Sequence, residues 1–236
     1  MTTADVLDSL RSCGTEQNRK IYARHGSGDR CLGVSFAEVE KLRKRIKSDH
    51  PLAVELWQSG IFEARSLATM IAEPARMTAA DLESWVEDID NHSLAGLFAR
   101  NVASKSRFAK ASVDAWSGSP HELIAETGYQ VLACLASPAP AASIEEKLTD
   151  SYFESWLVRI EAEIHTSRNR VRHAMNSALI AIGSRNDRLR QAALAAAGRI
   201  GKVTVDHGDT ACKTPDAVAY IHKTAARQAA KKAKQK

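Results

Sequence analysis

The chain has 236 residues, of which 44% are hydrophobic and 26% charged, ordinary proportions for a globular protein able to bury a core. Its formal net charge is +5, but six cations from Lys223 onward, unaccompanied by any acid, leave residues 1–222 at −1, so a body that is basic overall is excluded. The four scattered cysteines lack any C-x-x-C pairing, no apolar run follows a basic start, and no stretch nears the roughly 20 apolar residues of a membrane span, which argues against a disulfide framework, a secretion signal or a membrane anchor and for reduced thiols in a cytoplasmic protein.

Apolar spacing is helical almost throughout. Helices are predicted near 3–12, 15–24, 36–48, 51–59, 61–72, 79–88, 91–103, 106–116, 120–136, 143–148, 151–165, 169–183, 186–200 and 215–232. Ser35 to Glu38 and Thr78 to Asp81 read as capping boxes or close variants. Pro51, Pro74, Pro120 and Pro215 sit near helix ends, and Gly60, Gly118, Gly183 and Gly201 fall where C-caps belong. Val203-Thr204-Val205, the one β-like run, is too short to carry a sheet.

The helices fall into pairs with short links. Trp57, Trp85, Trp116 and Trp156 recur late or centrally in the first helix of a pair, at the period of HEAT and armadillo repeats. The expected fold is therefore all-α, a curved solenoid of antiparallel helix pairs, with an irregular helical bundle as the alternative. Residues 1–222 are expected to form one domain, with 137–142 an inter-repeat loop and 223–236 a basic, partly disordered tail. Repeat stacks of this kind are commonly monomers, so a monomer is expected.

Three helix starts carry polar residues where an apolar face would be expected: Asp88-Ile89-Asp90-Asn91-His92, Glu126 to Gln130, and Arg168 to Asn176. Each belongs to the second helix of a pair, and second helices line one surface of a curved stack. The segments would then meet in a polar cleft, with Asp90 or Glu126 supplying a carboxylate and Asn91, Tyr129, Arg168, Arg170, Arg172 and Asn176 lining it. Simple capping by Asp90 and Asn91, or a solvated arginine face, would explain part of the pattern. Arg172, His173 and Asn176 share one helix face. Asp206, His207, Asp209 and Cys212 match no common zinc spacing, so neither metal nor cofactor is expected. Their loop, with Lys213, is read as turn-rich, Thr214 capping the next helix and Pro215 opening it. Two basic runs, Lys41 to Lys47 and the tail, could hold phosphates or be solvated faces.

The order Leu32-Gly33-Val34-Ser35 followed by Leu56-Trp57-Gln58-Ser59-Gly60-Ile61-Phe62-Glu63-Ala64-Arg65 resembles the early repeats of the DNA alkylation repair (AlkD-like) family. Trp85–Asn101 and Asn169–Gly183 resemble its later repeats, and Val205–Ala217 looks like a distinct subgroup. The resemblance implies a concave HEAT-like solenoid that holds duplex DNA by its backbone. It also implies, for active members, excision of cationic alkylated purines with a carboxylate and aromatic faces stabilising developing positive charge. Where that family carries Trp, Asp, Arg and a second Trp, ungapped alignment puts His92, Gly96, a stretch near Val131 without arginine, and a stretch near Ser177. The resemblance thus implies a subgroup lacking the usual catalytic residues, and leaves the enzyme question open. Candidates for any chemistry are Asp90, His92 and His173. Three readings follow: a protein binding duplex DNA, alkylated or not, that is either a divergent glycosylase or a non-catalytic binder; a scaffold for a protein partner; and an enzyme of other chemistry.

Overall fold

The computed structural model describes residues 1–137 and 148–233. Among these, thirteen α-helices and two short 3-10 turns are present and no strand. The helix expected at 143–148, and most of the loop expected at 137–142, lie outside the described residues. The helices are α1 Thr3–Cys13, α2 Glu16–Arg24, α3 Phe36–Ile46, α4 His50–Gln58, α5 Phe62–Ile71, α6 Ala79–Glu87 and α7 His92–Asn101. They continue with α8 Ala109–Trp116, α9 Glu122–Ala136, α10 Asp150–Glu163, α11 Asn169–Gly183, α12 Asp187–Ile200 and α13 Ala217–Ala233. No described helix is long and apolar enough to cross a membrane.

Caps set several of these limits. Thr78 and Asp81 form a reciprocal capping box, and Ser35 accepts from the Glu38 amide. Gly183 differs from its expected role: it is the last helical residue of α11, and a Cβ there would crowd Ala193 and Ile221 at 2.9–3.1 Å. It is small because α12 and α13 close on α11 at that point. α13 runs unbroken from Ala217 to Ala233, close to the helix expected at 215–232. That helix is anchored by fully buried Ile221 and by Gln228 donating to the Ser184 carbonyl at 2.9 Å.

The helices form two layers. α3, α5, α7, α9, α11 and α13 pack in succession against one another, while α4, α8 and α12 back α5, α9 and α11. Between the layers runs an aromatic spine. Trp57 and Trp85 stack with centroids 4.2 Å apart and planes 4° from parallel, and Phe98 touches both and Trp116. All four tryptophans are at most 6% exposed. Their indole N–H groups require acceptors: Trp57 donates to Asp88 and Trp116 to Glu83, each across to a neighbouring repeat.

The Leu-Trp and Glu-Ala-Arg blocks serve this architecture. Glu63, in the first turn of α5 and 1% exposed, accepts from the backbone amides of Leu32, Gly33 and Val34 at 2.6–3.0 Å and from the Cys31 thiol. Gly33 is in the left-handed region, and a Cβ there would run into the Thr15 carbonyl and Arg19. Arg65 lies over the Trp57 ring and donates to the carbonyls of Trp57 and Asp88. A buried carboxylate holding several amides leaves them all unpaired when it is removed. Glu63→Gln, which turns an NH₂ group toward amide donors, is therefore expected to cost about 3 kcal/mol of stability, read from the urea midpoint. A change below about 0.5 kcal/mol would mean that the 31–34 segment finds other partners.

Candidate nucleic-acid interface

The beginnings of α7, α9 and α11 lie side by side and carry half-buried His92, then half-buried Glu122 and buried Glu126, then half-buried Arg170 and His173. The Arg170 amide donates to Glu122 Oε1 at 2.7 Å, which ties the start of α11 to α9. His25, the C-cap of α2, brings its ring to 6.1 Å from that of His92. From the other side His207 sets its ring edge-on to His173, 5.3 Å away. Four histidines from separate parts of the chain thus gather around Arg170, which also acts on the Glu126 carboxyl of α9.

Electrostatics at this cluster are unusual. Burial pushes the Glu126 carboxyl up to about 8, against the pull of its hydrogen bond from Gln130 and of the Arg170 charge. Glu126 is 2% exposed, and its second oxygen has no hydrogen-bond partner among the described residues. His92 is pushed down to about 4, first by burial and then by Arg170, His25, His173 and His207. His173 is lowered by burial, His207 and Arg170, and its Nδ1 is also buried without a partner. At neutral pH the cluster therefore holds a protonated Glu126 and a neutral His92 beside the Arg170 guanidinium and the Glu122 carboxyl that accepts from the Arg170 amide. Among the described residues that guanidinium makes no ion pair. The N-terminal ends of α9 and α11 add positive backbone potential. Unpaired buried polar groups next to a cation can seat an anionic oxygen, since the acid proton and the imidazole N–H can donate to it.

The other expected cleft residues have different positions. Asp90 is exposed at the lip, holds the Asn91 amide and lies 3.9 Å from Arg65. Asn91 is 3% exposed and caps α7 by accepting from the Leu94 amide. Tyr129 is fully buried, its ring edge-on to Trp156, so it belongs to the core and not to a cleft wall. On a helix covered along most of its circumference, an aromatic at that position is drawn between the layers. Arg168 donates to the Pro120 carbonyl.

Arg172 and Asn176 serve the loop that follows α12. Arg172 donates to the carbonyls of Ser167 and Thr204, and Asn176, 1% exposed, donates to the Pro215 carbonyl. Asn169 completes the clamp, exchanging two hydrogen bonds of 2.7–2.8 Å with the Asp206 backbone. Within the loop, Asp206 accepts from the Gly208 amide and His207 pairs with Thr214. Thr214 is thereby taken up, and Asp216 rather than Thr214 caps α13 by accepting from the Ala219 amide. Lys213 and Cys212 are exposed on the same loop. Sequence reasoning did not find His25, because nothing local marks a helix-capping histidine as the neighbour of His92.

Two outcomes check this geometry. Asn169→Ala should speed proteolytic cleavage within 202–216 several-fold with helical content unchanged, and an unaltered cleavage rate would show the clamp to be dispensable. The second concerns pH. A carboxyl whose folded pKa lies above its unfolded value supports folding fully below about 4.5, and that support is lost as pH rises through about 8. His92 has the opposite sign: its contribution is present above 6.5 and lost as pH falls through about 4. Denaturation between pH 6 and 9 should show wild-type protein losing stability that Glu126→Gln retains. Parallel pH dependences for the two proteins would place Glu126 outside the linkage.

Comparison with known proteins fits this arrangement. The model of the family described as "DNA alkylation repair enzyme" matches residues 6–232. Uncharacterized proteins of Listeria monocytogenes and Listeria innocua are each 29% identical over 229 residues, covering 94% of this chain and 97% of theirs. A solved structure described as "a new family of proteins related to the HEAT-like repeat DNA glycosylases with affinity for branched DNA structures" superimposes with a TM-score of 0.83 at 26% identity, over 97% of this chain and 95% of that one. With both layers of helices inside the matched region, this chain belongs to the family of DNA alkylation repair enzymes.

Proposed function

We propose that this protein binds DNA by its backbone along the layer formed by α3, α5, α7, α9, α11 and α13, without excising bases. The observation that carries the reading is Arg170, a guanidinium outside any ion pair among the described residues, set near neutral His92, His173 and protonated Glu126 at two helix N-termini. Such a site favours a phosphate oxygen. The same layer ends at one side in α3, with exposed Lys44, Arg45 and Lys47 nearby, and at the other in α13, with exposed Lys223 and Arg227. The two basic runs therefore lie at the two ends of that layer, although residues 1–222 sum to −1. The solved relative's affinity for branched DNA supports extending the reading to forks and junctions.

Several features favour binding over excision. Departure of a cationic base calls for a carboxylate and aromatic faces at the sugar. Glu126 is held protonated at neutral pH, and Asp90 sits at the lip beside Arg65. The tryptophans are all enclosed between the layers. At Gly96, the position that aligns with the family's aspartate, no carboxylate is present, and a Cβ would stand 3.0 Å from Gln130 Oε1. Val131 is fully buried, so an arginine there would have to leave the core.

The test uses the full chain, since cutting at 222 would sever α13. A fork and a duplex, each with and without one 7-methylguanine, are titrated with protein over a range of salt while released base is assayed. Salt-dependent binding without base release is expected. Arg170→Ala should weaken binding to every sequence and lower the slope of log K against log salt by about 1. Base release would establish a glycosylase with an unfamiliar site. Absence of binding at low salt would remove DNA and favour a protein partner, as the slightly acidic body also would.

A further inference from the structure

A cavity of about 240 Å³ opens between α2, α3, α5 and the start of α7. Tyr22, Phe36 and Phe62 wall it, each ring edge-on to the other two at centroid distances of 5.6–6.3 Å, and His25, Ser27 and Ser93 supply polar groups. The walls are fixed in advance. The Tyr22 hydroxyl donates to the Val34 carbonyl, and the segment carrying that carbonyl is the one held by Glu63. Phe36 and Ile21 nonetheless leave 43% and 39% of their surface exposed, which the packing of the helices does not require. The cavity adjoins the phosphate-seating cluster: His25 lines it and faces His92, and Ser93 follows His92 on α7.

We infer that this pocket takes one unpaired nucleobase from a DNA strand whose backbone lies on the Arg170 cluster. The inference rests on the proposed DNA binding and adds to it what distinguishes a branch from plain duplex. Three observations select the occupant. The volume is below the roughly 300–1,000 Å³ of pockets for drug-sized ligands, and so suits a single heterocycle. Aromatic walls with a polar edge suit a flat ring bearing nitrogen and oxygen atoms. A cation, the other usual guest of an aromatic cage, is disfavoured by exposed Arg24, which immediately precedes the pocket-lining His25. That arginine would instead meet a phosphate of the inserted nucleotide. A paired base is stacked and cannot enter without being extruded, so forks, gaps and junctions, which supply unstacked bases, gain affinity.

The experiment uses the full chain and a fork with 2-aminopurine unpaired at the branch, beside a fully paired duplex of the same sequence. Binding of the fork is expected to change the 2-aminopurine emission through stacking on the aromatic walls. Phe36→Ala should abolish that change and reduce fork affinity relative to duplex roughly tenfold, the scale of one base–aromatic contact. Phe36→Tyr should retain both, and His25→Ala, at a half-exposed position, serves as a second variant if Phe36→Ala is poorly folded. Arg170→Ala should weaken fork and duplex together. Fork binding with unchanged emission, or equal losses on fork and duplex in Phe36→Ala, would overturn the pocket and leave DNA binding intact. No binding to either DNA would overturn the DNA reading and the pocket with it.

Discussion

The buried Glu63 carboxylate is the contact on which the amino-terminal part of the molecule depends. It gathers three consecutive backbone amides and a thiol from the segment before α3, and so joins that segment to the first turn of α5. A loop with unpaired amides could not lie against a core at acceptable cost. With Glu63 in place, the segment becomes a wall: Val34 orients Tyr22, Phe36 begins α3, and Phe62 meets both rings. Arg65, two residues along, performs the matching task on the other side by joining Trp57 to the segment after α6. The block of residues that most strongly marks the family is thus explained by joints between repeats rather than by chemistry.

A similar division runs through α11. Its first turns carry five polar residues that a helical wheel places near a groove, yet only Arg170 and His173 face the cluster of histidines and Glu126. Asn169, Arg172 and Asn176 turn instead to backbone atoms of the segment between α12 and α13. That segment has no regular structure of its own to satisfy its carbonyls and amides, and polar side chains from a neighbouring helix are the available partners. By holding the loop, they bring His207 against His173 and close one end of the cluster.

The cluster illustrates how low polarity reshapes titration. Burial pushes the Glu126 carboxyl up and the His92 and His173 imidazoles down, so these groups are held neutral at neutral pH. They then act as hydrogen-bond donors and acceptors beside the Arg170 guanidinium. That combination suits recognition of a phosphate better than charge stabilisation at a departing base, where an ionised carboxylate would be needed. Basic residues lie at both ends of the same helical layer without making the whole body basic.

The Leu-Trp and Glu-Ala-Arg blocks carried the resemblance to the family. Helical periodicity, caps and the spacing of the tryptophans determined the fold class and the pairing of helices, because each depends on residues within a turn or two or on a repeat along the chain. The polar starts of α7, α9 and α11 were legible for the same reason, and so was their placement together. Which side chains face the cleft was decided only in the tertiary structure. Tyr129 and Arg170 are both set in polar surroundings in sequence, but one is enclosed against Trp156 and the other left without an acid. Likewise Gly183 is read locally as a cap and Arg172 as a cleft residue, until α12, α13 and the loop between them close on α11. The aromatic pocket and His25 were invisible beforehand, since their parts come from α2, α3, α5 and α7 and are brought together by a carboxylate far from any of the rings but Phe62 in sequence. Local pattern reports how each helix is built; the exposure, partner and charge of a side chain are set by what the neighbouring helices leave for it.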